Sequence, residues 1–280
     1  MKIPKRIEPL VEDGLVDEVL YALMSGKEAA VYVVLSEGQL RCAKAYKEAD
    51  QRGFRQSVVY REGRRERNSR RARAMEKGSR YGRQLQEETW QNAEVDALYR
   101  LAAAGVRVPQ PYLYADGVLL MELVTDDQGR AAPRLNDVEL SAEAARIHHR
   151  TLMGEIVKML CAGLVHGDLS EYNVLLGRAG PVIIDLPQAV DAAGNNHARA
   201  MLERDVGNMA AYFGRFAPEI LDTQYGKEIW RLYQRGELRP AAELTGRFKE
   251  VRKRADVRAV IREIDAARKE HEARRMLSDH

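Results

Sequence analysis

Residues 164–176 read Leu-Val-His-Gly-Asp-Leu-Ser-Glu-Tyr-Asn-Val-Leu-Leu. Apolar residues enclose a polar centre in which the carboxylate of Asp168 stands five residues before the carboxamide of Asn173. Downstream, residues 177–180 supply a glycine-bounded turn and residues 181–185 a strand that ends on Asp185. A β-hairpin closed by that turn brings its two outer ends together, so Asp168, Asn173 and Asp185 are expected to converge at one rim. Magnesium favours oxygen ligands, usually one or two carboxylates completed by phosphates and water. Asn173 and Asp185 fit as metal ligands, which leaves Asp168 to accept a hydroxyl proton or orient a nucleophile. The competing reading is structural: an N-capping aspartate with a turn asparagine.

The wider chain bounds what such a site can belong to. With 280 residues and 45% hydrophobic content, the chain is long enough for one large domain or two lobes. It contains no apolar run of the roughly 18 residues that span a bilayer. The N-terminal stretch is basic without an apolar centre, so no secretory signal is expected. Cys42 and Cys161 are the only cysteines and have no CxxC spacing. Neither a zinc site nor a disulfide framework is expected, and a reducing cytoplasm is the expected setting. The net charge of +3 conceals an asymmetry: residues 51–83 hold 12 Lys and Arg against 3 Asp and Glu, a net of +9, and the rest of the chain is mildly acidic.

The apolar spacing of Val16, Val19, Leu20 and Leu23 predicts a short amphipathic helix within residues 7–24. Residues 31–35 and 40–46 are β-rich around Ser36-Glu37-Gly38 and predict a hairpin. Helical periodicity resumes from Trp90 to Ala103 and stops at Gly105. Two strands are expected within 106–124 around Ala115-Asp116-Gly117, a helix over 142–163, and helix throughout from about 197. The order predicts an α+β protein with a β-rich N-lobe, a mainly helical C-lobe and a crevice between them. The expected boundaries are an N-terminal helical extension over 1–24, an N-lobe over 25–124 with a basic insert at 47–88, a C-lobe over 125–243 and a charged C-terminal helix over 244–280.

Asp168 and Asn173 have the D-x-x-x-x-N spacing of a kinase catalytic loop, in which the aspartate serves as base and the asparagine holds a metal. Such chemistry also needs a loop over the phosphates, a strand lysine and a helix glutamate that positions the lysine. Ser25, Gly26 and Lys27 precede a strand, where such a loop belongs. Lys44 lies within an apolar strand, Glu94 is its candidate partner and Asp96 a weaker rival. The stretch Leu119 to Val124 could offer backbone groups to a purine. Each element is ordinary alone, and their occurrence in the required order is what carries weight.

Taken together, these residues resemble the RIO family of atypical protein kinases, and within it the Rio1 branch. The His-Gly-Asp-Leu-Ser-Glu-Tyr-Asn run at 166–173 is its most specific feature. The loop at 25–32, the helix at 90–101, Val-Pro-Gln-Pro-Tyr at 108–112, Leu-Leu-Met-Glu-Leu-Val at 119–124, Ile-Asp-Leu-Pro-Gln-Ala-Val at 184–190 and the segment 196–213 follow the same family pattern. The resemblance implies a bilobal, protein-kinase-like fold with a truncated C-lobe, and ATP with Mg²⁺ (Mn²⁺ as alternative) as cofactors. Lys44 would contact the α/β-phosphates and pair with Glu94, and Ser25, Gly26 and Lys27 would cover the phosphates. The backbone of Glu122 and Val124 would hold adenine with Met121 behind it. Asp168 would be catalytic, Asn173 and Asp185 would bind metal, and Asp185 could carry phosphate as an aspartyl intermediate. The implied activity is transfer of the ATP γ-phosphate to a protein hydroxyl, including the chain's own, alongside ATP hydrolysis. No APE-like motif or long activation segment follows Asp185.

Further expectations concern the insert, the tail and alternative functions. The arginine-rich insert is an electrostatic arm for RNA or a ribosomal particle, against the alternative of a solvated loop, and Ser57, Ser69 and Ser79 within it are autophosphorylation candidates. In the tail, Phe248, Val251, Val260, Ile261 and Ile264 fall roughly on one helical stripe, expected to pack onto the C-lobe, with a helix for a partner as the alternative. A small-molecule phosphotransferase of the aminoglycoside-kinase type, and an assembly switch that turns ATP over slowly, are the alternative functions.

Overall fold

The protein was analysed as a computed structural model, which describes residues 3–26, 28–47 and 80–248. Lys27, most of the basic insert with Ser57, Ser69 and Ser79, and the tail from 249 lie outside the described residues.

The first half is built on five antiparallel strands: β1 (Glu18–Ser25), β2 (Ala29–Ser36), β3 (Gln39–Tyr46), β4 (Pro111–Ala115) and β5 (Val118–Glu122). Their order across the sheet is β1-β2-β3-β5-β4. Two-residue turns fix two of the registers. Ser36 faces Gln39 across Glu37 (φ 52°) and Gly38 (φ 70°), and Ala115 faces Val118 across Asp116 (φ 51°) and Gly117 (φ 72°). Left-handed backbone at both central positions matches the twist of a hairpin, and an acidic residue followed by glycine adopts it at low cost.

Strand alternation then sorts the side chains. Ala43, Ala45, Val118 and Leu120 pack on one face against Leu10 of the short helix α1 (Glu8–Glu12) and Ile7 just before it. Tyr46 and Leu119 turn to the other face, toward Val95, Leu98 and Leu101 of α2 (Arg80–Ala103). The helix expected over 7–24 is therefore confined to residues 8–12. Val19, Leu20 and Leu23 lie in an edge strand, whose two bulges, at Val19/Tyr21 and Ala22/Met24, break the two-residue alternation that would have announced it.

The second half packs helices around one core. Helix α3 (Ala142–Cys161) is capped by Ser141, whose hydroxyl accepts from the Ala144 N–H at 3.1 Å. It buries Leu152, Met153, Ile156 and Leu160 against Met201, Val206 and Met209 of α4 (Ala198–Gly214). Between them run a short pair, β6 (Leu164–Val165) with β9 (Val190–Asp191), and the hairpin β7 (Val174–Gly177) with β8 (Gly180–Ile183). Helix α5 (Tyr225–Gln234) follows, after which residues 235–248 are irregular rather than helical. Gly236 and Gly246, both at positive φ, and Pro240 end the helix there.

His149 of α3 is 3% exposed, tilted between the rings of Phe213 and Tyr225 at 5.6 Å each, and its Nε2 has no hydrogen-bond partner among the described residues. Burial pushes its pKa down to about 4. The folded state holds this ring neutral while an unfolded histidine protonates near 6.5, so its contribution is whole above about pH 6.5 and fades as pH falls toward 4. Urea titrations at pH 7 and pH 4.5 should show a loss of about 2 kcal/mol from this group, and His149→Phe should flatten that slope.

Candidate active site

A cleft of about 640 Å³ opens beside β3 and β5 and is lined by Gly26, Lys44, Glu94, Met121, Glu122, Val124 and Asp185, among others. Lys44 reaches it because alternation along β3 sends Ala43 and Ala45 into the core under α1 and Cys42, Lys44 and Tyr46 to the opposite face. Glu94 reaches it because it continues the buried stripe of Leu98 and Leu101 one turn earlier on α2. Asp96, on the other side of the same helix, is exposed.

The Lys44 ammonium donates to Glu94 Oε1 at 2.5 Å and to Asp185 Oδ1 at 3.1 Å. The second oxygen of Glu94 accepts from the Tyr46 hydroxyl at 2.9 Å, so this 4% exposed carboxylate is held at both ends. Burial by itself would push the Lys44 pKa down. Glu94 and Asp185 outweigh it and hold the group well above its ordinary value. At Asp185 partial burial raises the carboxyl, while Lys44, with help from His166 and Arg134, draws it below the usual carboxylate range. Both groups are charged at neutral pH. Asp185 sits just past β8 at φ +65°, a left-handed conformation that aspartate tolerates better than most residues and that turns its side chain toward Lys44. Cys42 shares the cleft wall, and burial pushes its thiol up to about 12.

The loop at 166–173 is assembled separately. The buried His166 approaches the Ile184 carbonyl with Nε2 at 3.1 Å, and its Nδ1 accepts from the Asp168 N–H at 3.3 Å, which assigns the ring proton to Nε2. Gly167 stands at φ +82°. Asp205 on α4, 1% exposed, accepts from the N–H of Gly167 at 2.7 Å and of Leu169 at 3.1 Å. Arg204 donates to the Gly167 carbonyl, and Asn208 to that of Leu169 at 3.0 Å. Asn173 Nδ2 donates to the Asp168 carbonyl at 2.8 Å, and the Asn173 carbonyl accepts from the Ile184 N–H at 3.0 Å, one residue before Asp185. The Asp168 side chain is exposed and makes no hydrogen bond among the described residues.

The expected residues thus form two joined groups: Lys44, Glu94 and Asp185 in direct contact, and Asp168 with Asn173 in contact and tied to Asp185 through Ile184. At the far end of the cleft Glu122 turns its carboxylate onto Arg107 at 2.7 Å through both oxygens, and its backbone N–H donates to the Gln110 carbonyl at 2.8 Å. The Val124 N–H has no hydrogen-bond partner among the described residues, while its carbonyl accepts from Ala132 at 2.9 Å. A Cβ at Gly177 would come within 2.9 Å of the Val124 Cγ1, so glycine there leaves room for the Val124 side chain. Ser25 and Gly26 are gripped from below by Lys47, whose ammonium donates to the Gly26 carbonyl at 2.5 Å and the Ser25 hydroxyl at 3.3 Å.

Among the described residues no three or more His, Cys, Asp or Glu cluster as a metal cage. One ionised carboxylate, Asp185, and one amide, Asn173 with its nitrogen already engaged, fit a magnesium ion that takes its other ligands from phosphate and water.

Asp205, His166, Tyr46, Arg107 and Lys47 were not singled out from sequence. Asp205 carried a signal, because it falls on the apolar stripe of Met201, Leu202, Val206 and Met209.

Two substitutions separate scaffold from chemistry. Asp205→Ala strands two buried N–H groups and should cost about 2–4 kcal/mol in chemical denaturation. Asp168→Ala removes an exposed carboxylate and should change stability by less than about 0.5 kcal/mol.

A model of the RIO domain matches residues 30–225. The RIO-type serine/threonine-protein kinase Rio1 of Haloferax volcanii is 35% identical over 211 residues, covering 75% of this chain and 68% of that protein. The serine/threonine-protein kinase rio1 of Schizosaccharomyces pombe is 29% identical over 216 residues, covering 74% of this chain but only 40% of its own length. The human serine/threonine-protein kinase RIO1 is 30% identical over 210 residues, of which this chain spans 35%. Among solved structures, the Rio2 kinase-ADP/Mg²⁺-phosphoaspartate complex of Chaetomium thermophilum superposes with a TM-score of 0.53 at 22% identity, covering 75% of this chain and 59% of the other, which supports the two-part α+β fold. With the family model spanning most of its length, the chain belongs to the RIO domain family.

Proposed function

We propose that this protein is an ATP- and Mg²⁺-dependent RIO-type serine/threonine kinase and ATPase. The observation that carries the reading is the Lys44 ammonium held between Glu94 and Asp185 on the wall of a cleft large enough for a nucleotide. The serine/threonine kinase names of the relatives and the ADP/Mg²⁺ complex of the structural neighbour support it.

Phosphoryl transfer is catalysed mainly by in-line positioning and by neutralising charge on the transferring group. In this reading adenine lies against Met121 with the backbone of Glu122 and Val124 at its edge, and Ser25, Gly26 and Lys27 cover the phosphates. Lys44 places its charge on the phosphates, and Glu94, itself fixed by Tyr46, keeps the ammonium from swinging away. Magnesium held by Asn173 and Asp185 would supply further positive charge to the phosphate oxygens. Asp168, exposed on a rigid loop, receives the proton of the incoming hydroxyl or water. A second route begins with attack of an Asp185 oxygen on the γ-phosphorus. The bond from the γ-phosphorus to the β–γ bridging oxygen breaks, ADP departs, and the acyl phosphate then passes to a hydroxyl or to water.

Incubation with γ-labelled ATP, followed by mass spectrometry of the trapped species, tests this. Label should appear on protein, with any acyl phosphate confined to Asp185. Asp168→Ala and Asp185→Ala should each cut turnover by about 10²-fold or more with the fold retained. Near-wild-type ATP turnover in either variant would remove the role assignment, and label transferred to an aminoglycoside instead of protein would favour the small-molecule phosphotransferase.

The charge asymmetry of the sequence supports a partner reading as well: residues 51–83, at net +9, form an arm for RNA or a ribosomal particle. Deleting residues 52–83 should weaken binding to unspecific RNA and flatten its salt dependence, and unchanged affinity in a filter-binding assay would dismiss the arm. No helix among the described residues is long and apolar enough to cross a membrane. Both cysteines are free, which supports a cytoplasmic setting.

A further inference from the structure

Arg134 is a cation in the cleft that none of the roles above employs. Its backbone is fixed on both sides. The preceding Pro133 carbonyl accepts from the Leu176 N–H at 2.8 Å, Arg134 itself bridges to Leu175 of β7, and the following Leu135 is fully buried with its carbonyl gripped by the Tyr212 hydroxyl. From this anchored position the side chain lines the same cleft as Lys44 and Asp185. It crosses to the last turn-ward residues of β1, where one guanidinium nitrogen lies 3.2 Å from the Met24 sulfur, directly before the Ser25–Gly26 loop.

A thioether is among the weakest acceptors a protein offers, and a guanidinium carries five donors in a planar fork suited to paired oxygens. Among the described residues Arg134 forms no ion pair, although Asp137 lines the same cleft three residues later. Its charge is felt as far as Asp185, where it helps lower the carboxyl's pKa. The result is a half-buried cation parked on sulfur beside the phosphate loop, at little cost to release.

We propose that Arg134 is a nucleotide-contact residue whose guanidinium exchanges the Met24 thioether for phosphate oxygens of the bound nucleotide. Arg134 then faces Lys44 across the phosphates. The inference rests on the nucleotide reading of the cleft and adds a specific claim: the contact is to phosphate, not to base or ribose.

Calorimetric titration of the full chain with ADP and with adenosine, in magnesium buffer, separates the possibilities. Arg134→Ala should weaken ADP by about ten-fold or more, the scale of one hydrogen bond to a charged group, and leave adenosine unchanged. Arg134→Lys, which keeps the charge but not the fork, should fall between. The ADP defect should shrink as salt is raised, and both variants should keep the wild-type melting temperature without ligand. Equal weakening of ADP and adenosine, or no weakening of either, overturns the proposal while leaving the nucleotide reading intact. A wild-type chain that binds neither compound overturns both.

Discussion

An ammonium cannot be left dry and alone. Placing Lys44 at the wall of a half-closed cleft strips it of water, and only the two carboxylates that meet it make its charged form the stable one. Much of the architecture reads as a means of keeping those three groups together. The alternation of β3 aims the lysine, the apolar stripe of α2 aims Glu94, and a left-handed residue after β8 aims Asp185. The Tyr46 hydroxyl closes the set by occupying the glutamate oxygen that Lys44 leaves over. Removing Lys44 would leave the buried Glu94 carboxylate without its complement, a larger penalty than loss of a surface ion pair.

The catalytic-type loop follows a different principle. It carries few apolar anchors of its own, so its shape comes from a buried polar network. Asp205 binds two of its N–H groups, Arg204 and Asn208 bind two of its carbonyls, and His166 ties it to Ile184. The anchored backbone lets Asp168 stand exposed and unengaged, which suits the proton-accepting role proposed for it. The Ile184–Asn173 backbone bond is the point where this network meets the lysine cluster.

What was legible in the sequence was local. The pairs Glu37-Gly38 and Asp116-Gly117 specify their turns within two residues, and the 166–173 run with the 177–180 turn specifies a loop and hairpin. Between Glu94 and Asp96 the sequence offered a preference without a stated cause, and the helix supplies it: Glu94 shares the buried face of Leu98 and Leu101, and Asp96 is exposed. What was not legible depends on partners distant along the chain. Nothing near Arg107 announces that it will clamp Glu122, and nothing near Tyr46 announces its bond to Glu94. The edge strand β1 was misread because Val16, Val19, Leu20 and Leu23 satisfy a helical spacing while the bulges erase the strand's own period. The glycines and proline between 235 and 248 contradicted continuous helix and deserved more weight than the polar composition around them.

Cys42 has an implication for inhibitor chemistry. It stands two residues before Lys44 on the same strand face, in the cleft wall, where a thiol would ordinarily invite covalent capture. Burial pushes its pKa up to about 12, so the reactive thiolate is scarce at neutral pH. An acrylamide or other electrophilic warhead occupying this cavity therefore meets the sulfur as an inert packing surface, and selective compounds would have to draw their affinity from shape and charge alone.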